Sequence, residues 1–295
     1  MATSITAEIV RNKIVAIAEH CYKNKPNNER YFYTDATTGM DKYKMYGTLV
    51  VGAEWCTSFA DWCYIKAMES LFPSLSQTQH VQLVRILTYQ PTSSSGASST
   101  AAFAYFKSNN SGKGPGRSSD GWIYFSKDYS PSVKYAKDNA KLLVGAKVFI
   151  GWPNKLCHTG IIHSVTSDGY IQTIEGNAGD TSSGTVVLRK GTSGFKPSNS
   201  WGRVVGIGLN NWDGFFSKLA EWGITSVNDG TEDAPVDIPI DEEPEPPPPP
   251  DPVGATHIKG VVYYPMIYHD GELRHVMPHV FTDGEFKPIQ IIPKE

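Results

Sequence analysis

Cysteine is scarce in this chain. Four in 295 residues are too few to staple a chain of this length. Cys21, Cys56, Cys63 and Cys157 therefore read first as free thiols. Long apolar runs are missing too. No stretch approaches the roughly 18 uninterrupted apolar residues of a membrane helix, so no membrane span is expected. Arg11, Lys13 and Glu19 interrupt any apolar core of a signal peptide in residues 1–21, which points to synthesis in a cytoplasm. Several catalytic signatures are also lacking. There is no G-x-S-x-G serine elbow and no H-E-x-x-H zinc helix. Cys157-His158, adjacent on one strand, is a poor zinc pair. Gly112-Lys113-Gly114 lacks the spacing of a phosphate loop. The basic residues between 107 and 117 have no interleaved aromatic platform, so no nucleic-acid partner is expected.

What is present is globular. Hydrophobic residues make up 40%, with 7 Trp, 15 Tyr and 12 Phe, enough for a sizeable core. The net charge of −3 is unevenly spread. Residues 1–228 carry 23 Lys and Arg against 16 Asp and Glu, a modest basic excess compatible with a polyanionic partner such as a cell wall. Residues 229–252 (DGTEDAPVDIPIDEEPEPPPPPDP) hold nine acids and no base. Proline stiffens that segment, like charges extend it, and it has too little apolar surface to fold. The expected organisation is a domain over 1–228, an acidic proline-rich linker over 229–252 and a small module over 253–295.

Hydrophobic spacing predicts helices over 5–20, from about Cys56 to before Pro73, over 77–88 and over 100–107. Residues 108–120 (SNNSGKGPGRSSD) read as a Gly/Ser-rich loop. From 146 the period becomes two, predicting strands over 146–152, 158–165, 170–177, 185–190 and 203–209. Ser167-Asp168-Gly169 marks a hairpin turn. A closing helix over 213–222 would take Asp213 as N-cap. Helices first and an antiparallel sheet after make this an α+β chain. The last module repeats at 13 residues: Pro265 to Arg274 aligns with Pro278 to Lys287, each copy centred on Asp-Gly. This predicts two β-hairpins, an all-β module. Its aromatics Tyr263, Tyr264, Tyr268, Phe281 and Phe286 serve either as a small core or as a surface for a glycan or protein partner.

The chemistry centres on Glu54-Trp55-Cys56-Thr57-Ser58-Phe59-Ala60-Asp61-Trp62-Cys63. Cys56 falls at a helix N-terminus, where unpaired N–H groups and the macrodipole favour a thiolate, the form a cysteine hydrolase uses as nucleophile. On this block alone a buried core thiol is the plainer reading. Cys63, two turns deeper, reads as core, as do Cys21 and Cys157. His158 is the candidate base. If Val165 pairs with Tyr170, His158 falls opposite Asn177 and Gly160 opposite Glu175, so that a His, a Glu and an Asn converge at one end of a hairpin. A one-residue slip would break that arrangement. A polar partner for the far imidazole nitrogen is what a Cys–His pair requires. His163 reads as structural or exposed.

Trp55-Cys56 with Phe59 and Trp62-Cys63, then His158-Thr159-Gly160-Ile161-Ile162, then Thr173-Ile174-Glu175-Gly176-Asn177 resembles the CHAP family. These are cysteine, histidine-dependent amidohydrolases/peptidases with a papain-like (NlpC-like) fold. The resemblance covers roughly residues 5–212 and includes Val205-Gly206-Ile207-Gly208 as a closing strand. It implies Cys56 as nucleophile, His158 as base, Glu175 as the residue orienting the imidazole and Asn177 as a further polar member. Two positions depart from the family pattern: Gly145-Ala146 stands where many members have Gly-Asp, and Trp55 where many have Gln. Residues 108–140 look like an insertion. No cofactor is required by this chemistry. Some members bind calcium just before the nucleophile, where Asp35 and Asp41 lie. Two carboxylates are few for a hard cation, and solvated loop acids are the plainer reading.

The resemblance implies bacterial peptidoglycan as substrate. With the acidic spacer and the repeat module it resembles a phage or prophage lysin, released from the host cytoplasm by a holin, its last module binding a cell-wall polymer. Two further readings stay open: a virion-associated hydrolase whose module docks to a phage tail protein, and an inactive phage structural protein.

Overall fold

The computed structural model describes residues 2–24, 32, 40–46, 54–91, 98–109, 129–152, 155–178, 185–189 and 203–228, together with the strand residues 268–269, 272–273, 279–282 and 285–288. The chain divides into two compact units, Met1–Asp241 and Glu242–Glu295. Their boundary falls within the acidic proline-rich segment, which itself lies outside the described residues.

The first unit is α+β. Its elements are β1 (Ala2–Ser4), α1 (Ala7–Asn24), α2 (Met40–Tyr43), α3 (Cys56–Leu71), α4 (Gln77–Leu87), α5 (Ser99–Asn109), α6 (Tyr129–Asp138), α7 (Ala140–Leu143), β2 (Lys147–Trp152), β3 (Lys155–Val165), β4 (Ile171–Ala178), β5 (Thr185–Arg189), β6 (Arg203–Gly208), α8 (Trp212–Glu221) and β7 (Ser226–Asn228). Strands β2 to β6 form one sheet in the order β5-β4-β3-β2-β6, with antiparallel neighbours throughout. Strand β1 pairs antiparallel with β7 and so ties the two ends of the unit together.

Local sequence explains most boundaries. Ser76 and Gln79 form a reciprocal capping box at the start of α4, satisfying two donors that a helix start leaves unpaired. Helix α8 is capped by Asn211, whose side chain accepts from the Gly214 N–H. The expected cap, Asp213, lies inside the first turn instead. Helices α6 and α7 occupy part of what reads in sequence as an insertion.

Helix α3 departs from the amphipathic stripe that its spacing suggests. Thirteen of its residues are buried, Thr57, Ser58 and Asp61 among them. A helix apolar all round belongs inside a core. Residues of α1, α3 and α4 cluster with Ile161, Ile174 and Val186 of the sheet, while Val148, Ile162, Ile171 and Ile207 belong to a second cluster. Thus α3 runs between other helices and the sheet. Cys63 and Cys21 lie in this core as free thiols. Burial pushes the Cys63 thiol well above its ordinary value, and a hydrogen bond with Cys21 adds to the rise.

Asp61 of α3 is fully buried and ion-pairs with Lys147 of β2, whose side chain is equally inaccessible. The same carboxylate accepts hydrogen bonds from the Tyr46 hydroxyl and the Gln90 amide. Lys147 also lies over the Tyr64 ring, 5.7 Å from its centroid. Four residues far apart in sequence thereby lock α3 to the sheet and to the end of α4.

In the second unit, β8 (Tyr268–His269) pairs with β9 (Glu272–Leu273), and β10 (His279–Thr282) with β11 (Glu285–Pro288). His269 opposes Glu272 and Thr282 opposes Glu285, so each pair encloses one Asp-Gly. The two copies of the repeat thus each carry a hairpin pairing. Tyr263 and Tyr264 lie outside the described residues.

Removing one partner of the buried ion pair strands the other charge. Lys147→Met is expected to cost about 3–5 kcal/mol of stability in urea unfolding, and Asp61→Leu in the same chain to recover part of that loss. An unchanged midpoint in Lys147→Met would show that the pair does not hold α3.

Candidate functional site

Cys56 is the first residue of α3, and Trp55 precedes it as the cap residue without a side-chain hydrogen bond to the helix start. The first N–H groups of any helix lack intrahelical acceptors. Here the cap side chain does not fill that role. The Cys56 residue is 3% exposed. Trp55 stacks on Phe32, centroid to centroid 5.3 Å, which anchors the entry to the helix.

His158 and Glu175 come from adjacent strands. The His158 Nε2 lies 3.1 Å from Glu175 Oε2. Cys56 also raises the imidazole through hydrogen bonding and charge; with Nε2 committed to Glu175, Nδ1 is the nitrogen left to meet it. Glu175 is 1% exposed. Its Oε1 accepts from the Thr173 hydroxyl at 2.6 Å, and Oε2 accepts from Arg189 Nε at 2.7 Å. The result is a chain running from the thiol through the imidazole to a carboxylate held from two further sides.

Electrostatics follow from this burial. Burial by itself lowers the basicity of His158. Hydrogen bonds and charge from Cys56 and Glu175 outweigh it and push the imidazole up to about 10. Burial by itself raises Glu175. The hydrogen bond and charge of His158, the charge of Arg189 and the Thr173 hydroxyl outweigh that, and the carboxyl is held below its ordinary value. At neutral pH the arrangement favours an imidazolium beside the Glu175 carboxylate.

Register decides whether these residues meet. Ile161 pairs with Ile174 and Ile162 with Thr173, the register that the sequence reading assigns to this end of the hairpin. The turn differs. Val165 pairs with Ile171, not Tyr170, so the loop is one residue longer. Thr166 closes it through the Tyr170 carbonyl, and Gly169 has φ 84°. An irregularity between Ile162 and Ser164 absorbs the extra residue. His163 sits at that irregularity and bonds Glu19 of α1 at 2.6 Å.

Two glycines make room for the site. A Cβ on Gly160 would lie 2.7 Å from Glu175 Cγ, within the space the carboxylate occupies. A Cβ on Gly176 would lie 2.5 Å from Phe59 and 2.7 Å from Trp55, where β4 crosses the first turn of α3.

Of the residues singled out in sequence, Cys56, His158 and Glu175 are brought together. Asn177 is placed otherwise. It has φ 54°, and the β4–β5 pairing shifts between Glu175 and Ala178. This turns Asn177 out of the Thr173–Glu175 row, and its amide donates to Glu54, two residues before Cys56. Asp35 lies outside the described residues, as does the side chain of Asp41. Among the described residues no group of three or more His, Cys, Asp and Glu stands close enough to hold a metal ion. No described helix is long and apolar enough to cross a membrane. Thr173, Arg189 and Glu54 were not anticipated. Pairing β4 with β5 places Arg189 opposite Thr173, so alternation along TVVLR held the only sequence signal for it.

No family model, curated protein or solved structure matches this chain. The chemistry must therefore be read from the site itself. A thiol, an imidazole and a buried carboxylate in series are the groups from which a nucleophile, a proton carrier and an orienting group can be built.

Because His158 is raised, its proton is present below about pH 10 and lost as pH rises through that value. A nitrogen-15 NMR titration of the imidazoles in the full chain is expected to place the His158 midpoint near 10. Glu175→Gln should bring it down toward the ordinary ~6.5, and Gly160→Ala should move it the same way by displacing the carboxylate. A wild-type midpoint near 6.5 would contradict the hydrogen-bonded chain described here.

Proposed function

We propose that the first unit is a cysteine-dependent amidohydrolase or peptidase of the CHAP type, papain-like in fold, cleaving an amide bond in bacterial peptidoglycan. The observation that carries this reading is the buried series Cys56–His158–Glu175. The substrate rests on the resemblance of the three sequence blocks to that family.

In this mechanism the Cys56 thiolate attacks the amide carbonyl, and the developing oxyanion is received by the backbone N–H of Cys56 at the start of α3. His158, already protonated, gives its proton to the departing amine, leaving an acyl-enzyme thioester. It then takes a proton from water, whose oxygen attacks the thioester. Collapse expels the thiolate and releases the carboxylic acid, with the proton left on His158. Glu175 holds the imidazole in the tautomer and orientation that both transfers need, and Arg189 and Thr173 hold Glu175.

The acidic segment and the twin hairpins accord with a lysin of phage or prophage origin whose last module engages a wall polymer. The same module docking to a virion protein is the variant reading.

Incubation with purified Gram-positive sacculi tests the proposal. The wild-type chain should clear the suspension and release fragments whose new ends, read by mass spectrometry, identify the bond. Cys56→Ala should retain its fold and lose clearing by at least ~10³-fold. Equal clearing by both proteins, or inertness of folded wild type across several wall chemistries, would overturn it.

A further inference from the structure

A groove of about 1060 Å³ opens between the α2 segment and α4. This is at or above the usual range for small-molecule sites, about 300–1,000 Å³, and so has room for more than one ring or residue of a ligand. Its described lining contains Lys42, Lys44 and Arg85 and no carboxylate. No described carboxylate forms a salt bridge with any of the three. The Arg85 guanidinium instead donates to two backbone carbonyls, those of Met45 at 2.5 Å and Pro91 at 2.6 Å, which orient it without neutralising it. A cleft of one sign concentrates counter-charged ligands.

The groove also presents an unmet acceptor. Gln90 lines it and is 6% exposed. Its Nε2 donates to the Asp61 carboxylate at 3.1 Å, which fixes the amide orientation because a carboxylate accepts only. The opposite atom, Oε1, is buried with no hydrogen-bond partner. A buried acceptor left open is costly, and a hydroxyl or N–H admitted from the groove would satisfy it. The backbone points the same way. Of three described non-glycine residues with positive φ, Lys44 and Tyr89 line this groove. Such conformations are strained and gather at ligand sites.

We propose that this groove is a binding site for an anionic oligosaccharide, its sugar hydroxyls met by the amides and its carboxylate or phosphate groups by the three cations. The sugar is favoured by the lining. Five of the side chains are Gln or Asn, whose amide hydrogens and lone pairs not used within the protein match neighbouring hydroxyls, and Tyr89 adds an aromatic ring. The site is separate from the thiol chemistry and does not rest on it. It borders the helix of Cys56 through Gln90 and Asp61 and through Tyr43 and Lys66.

Titration calorimetry on full-length Cys56→Ala tests this with four probes of similar length: a galacturonate tetramer, a phosphorylated dextran oligomer, a neutral dextran oligomer and polyglutamate. At least one anionic glycan should bind, and the better of the two identifies the preferred anion. The neutral glycan and polyglutamate should bind at least ~10-fold more weakly. The exposed-position variants Lys44→Glu and Gln82→Glu, each added to Cys56→Ala, should weaken the glycan at least ~10-fold with the melting temperature unchanged. Gln90→Leu should weaken it with either anion. Binding of polyglutamate as tight as the glycan, no binding of either anionic glycan, or indifference to both exposed variants would overturn the proposal. Inertness toward sacculi would leave these results untouched, so the two readings fail separately.

Discussion

A carboxylate at 1% exposure needs partners for both oxygens, and the site is organised around supplying them to Glu175. An isolated buried charge costs several kcal/mol. The structure answers with an imidazole, a guanidinium and a hydroxyl. Each of these comes from a different place: His158 from β3, Arg189 from β5, Thr173 from the same strand two residues back. Because the carboxylate is held from three sides, the imidazole it holds has little freedom. That fixes the nitrogen turned toward Cys56. The raised basicity of His158 and the lowered one of Glu175 are two sides of this single constraint.

Helix α3 supplies the other half. Its first residue is the thiol and its sixth is Asp61, and the two are separated by about 7.5 Å along the axis. The thiol end meets the sheet where Gly176 lets β4 approach Phe59 and Trp55. The Asp61 end is fastened by Lys147, Tyr46 and Gln90. A helix whose first ten residues are all buried cannot roll to adjust its first turn. The position of Cys56 is therefore set by core packing as well as by its own contacts. Gln90 extends that packing to the groove beside α4, and its second amide atom is buried there without a partner.

Much of this was legible in the sequence. The change of period at about residue 146 located the sheet, and the helices α1, α3, α4 and α5 begin and end within a few residues of their predicted limits. The register set Gly160 opposite Glu175, and the structure shows how closely the two approach. Other features left no local trace. Helices α6 and α7 are short and follow a Gly/Ser-rich stretch, so their periodicity spans too few turns to register. The extra residue at His163 is invisible because a bulge changes the count without changing composition. Asn177 lies in the expected alternation, and only its left-handed backbone turns it to Glu54.

By itself the sequence determined which residue types stand at the ends of which elements: a cysteine opening a helix, a histidine and a glutamate on neighbouring strands, an acidic proline segment, a twofold Asp-Gly repeat. These follow from periodicity, capping and turn chemistry, which act within about a dozen residues. Only the tertiary structure decided that the Asp61 inside an apolar helix pairs with Lys147, 86 positions away, that Arg189 braces Glu175, and that three cations and an open amide oxygen share one groove. Those are long-range electrostatic and packing choices. They depend on which elements become neighbours, and no local pattern records that.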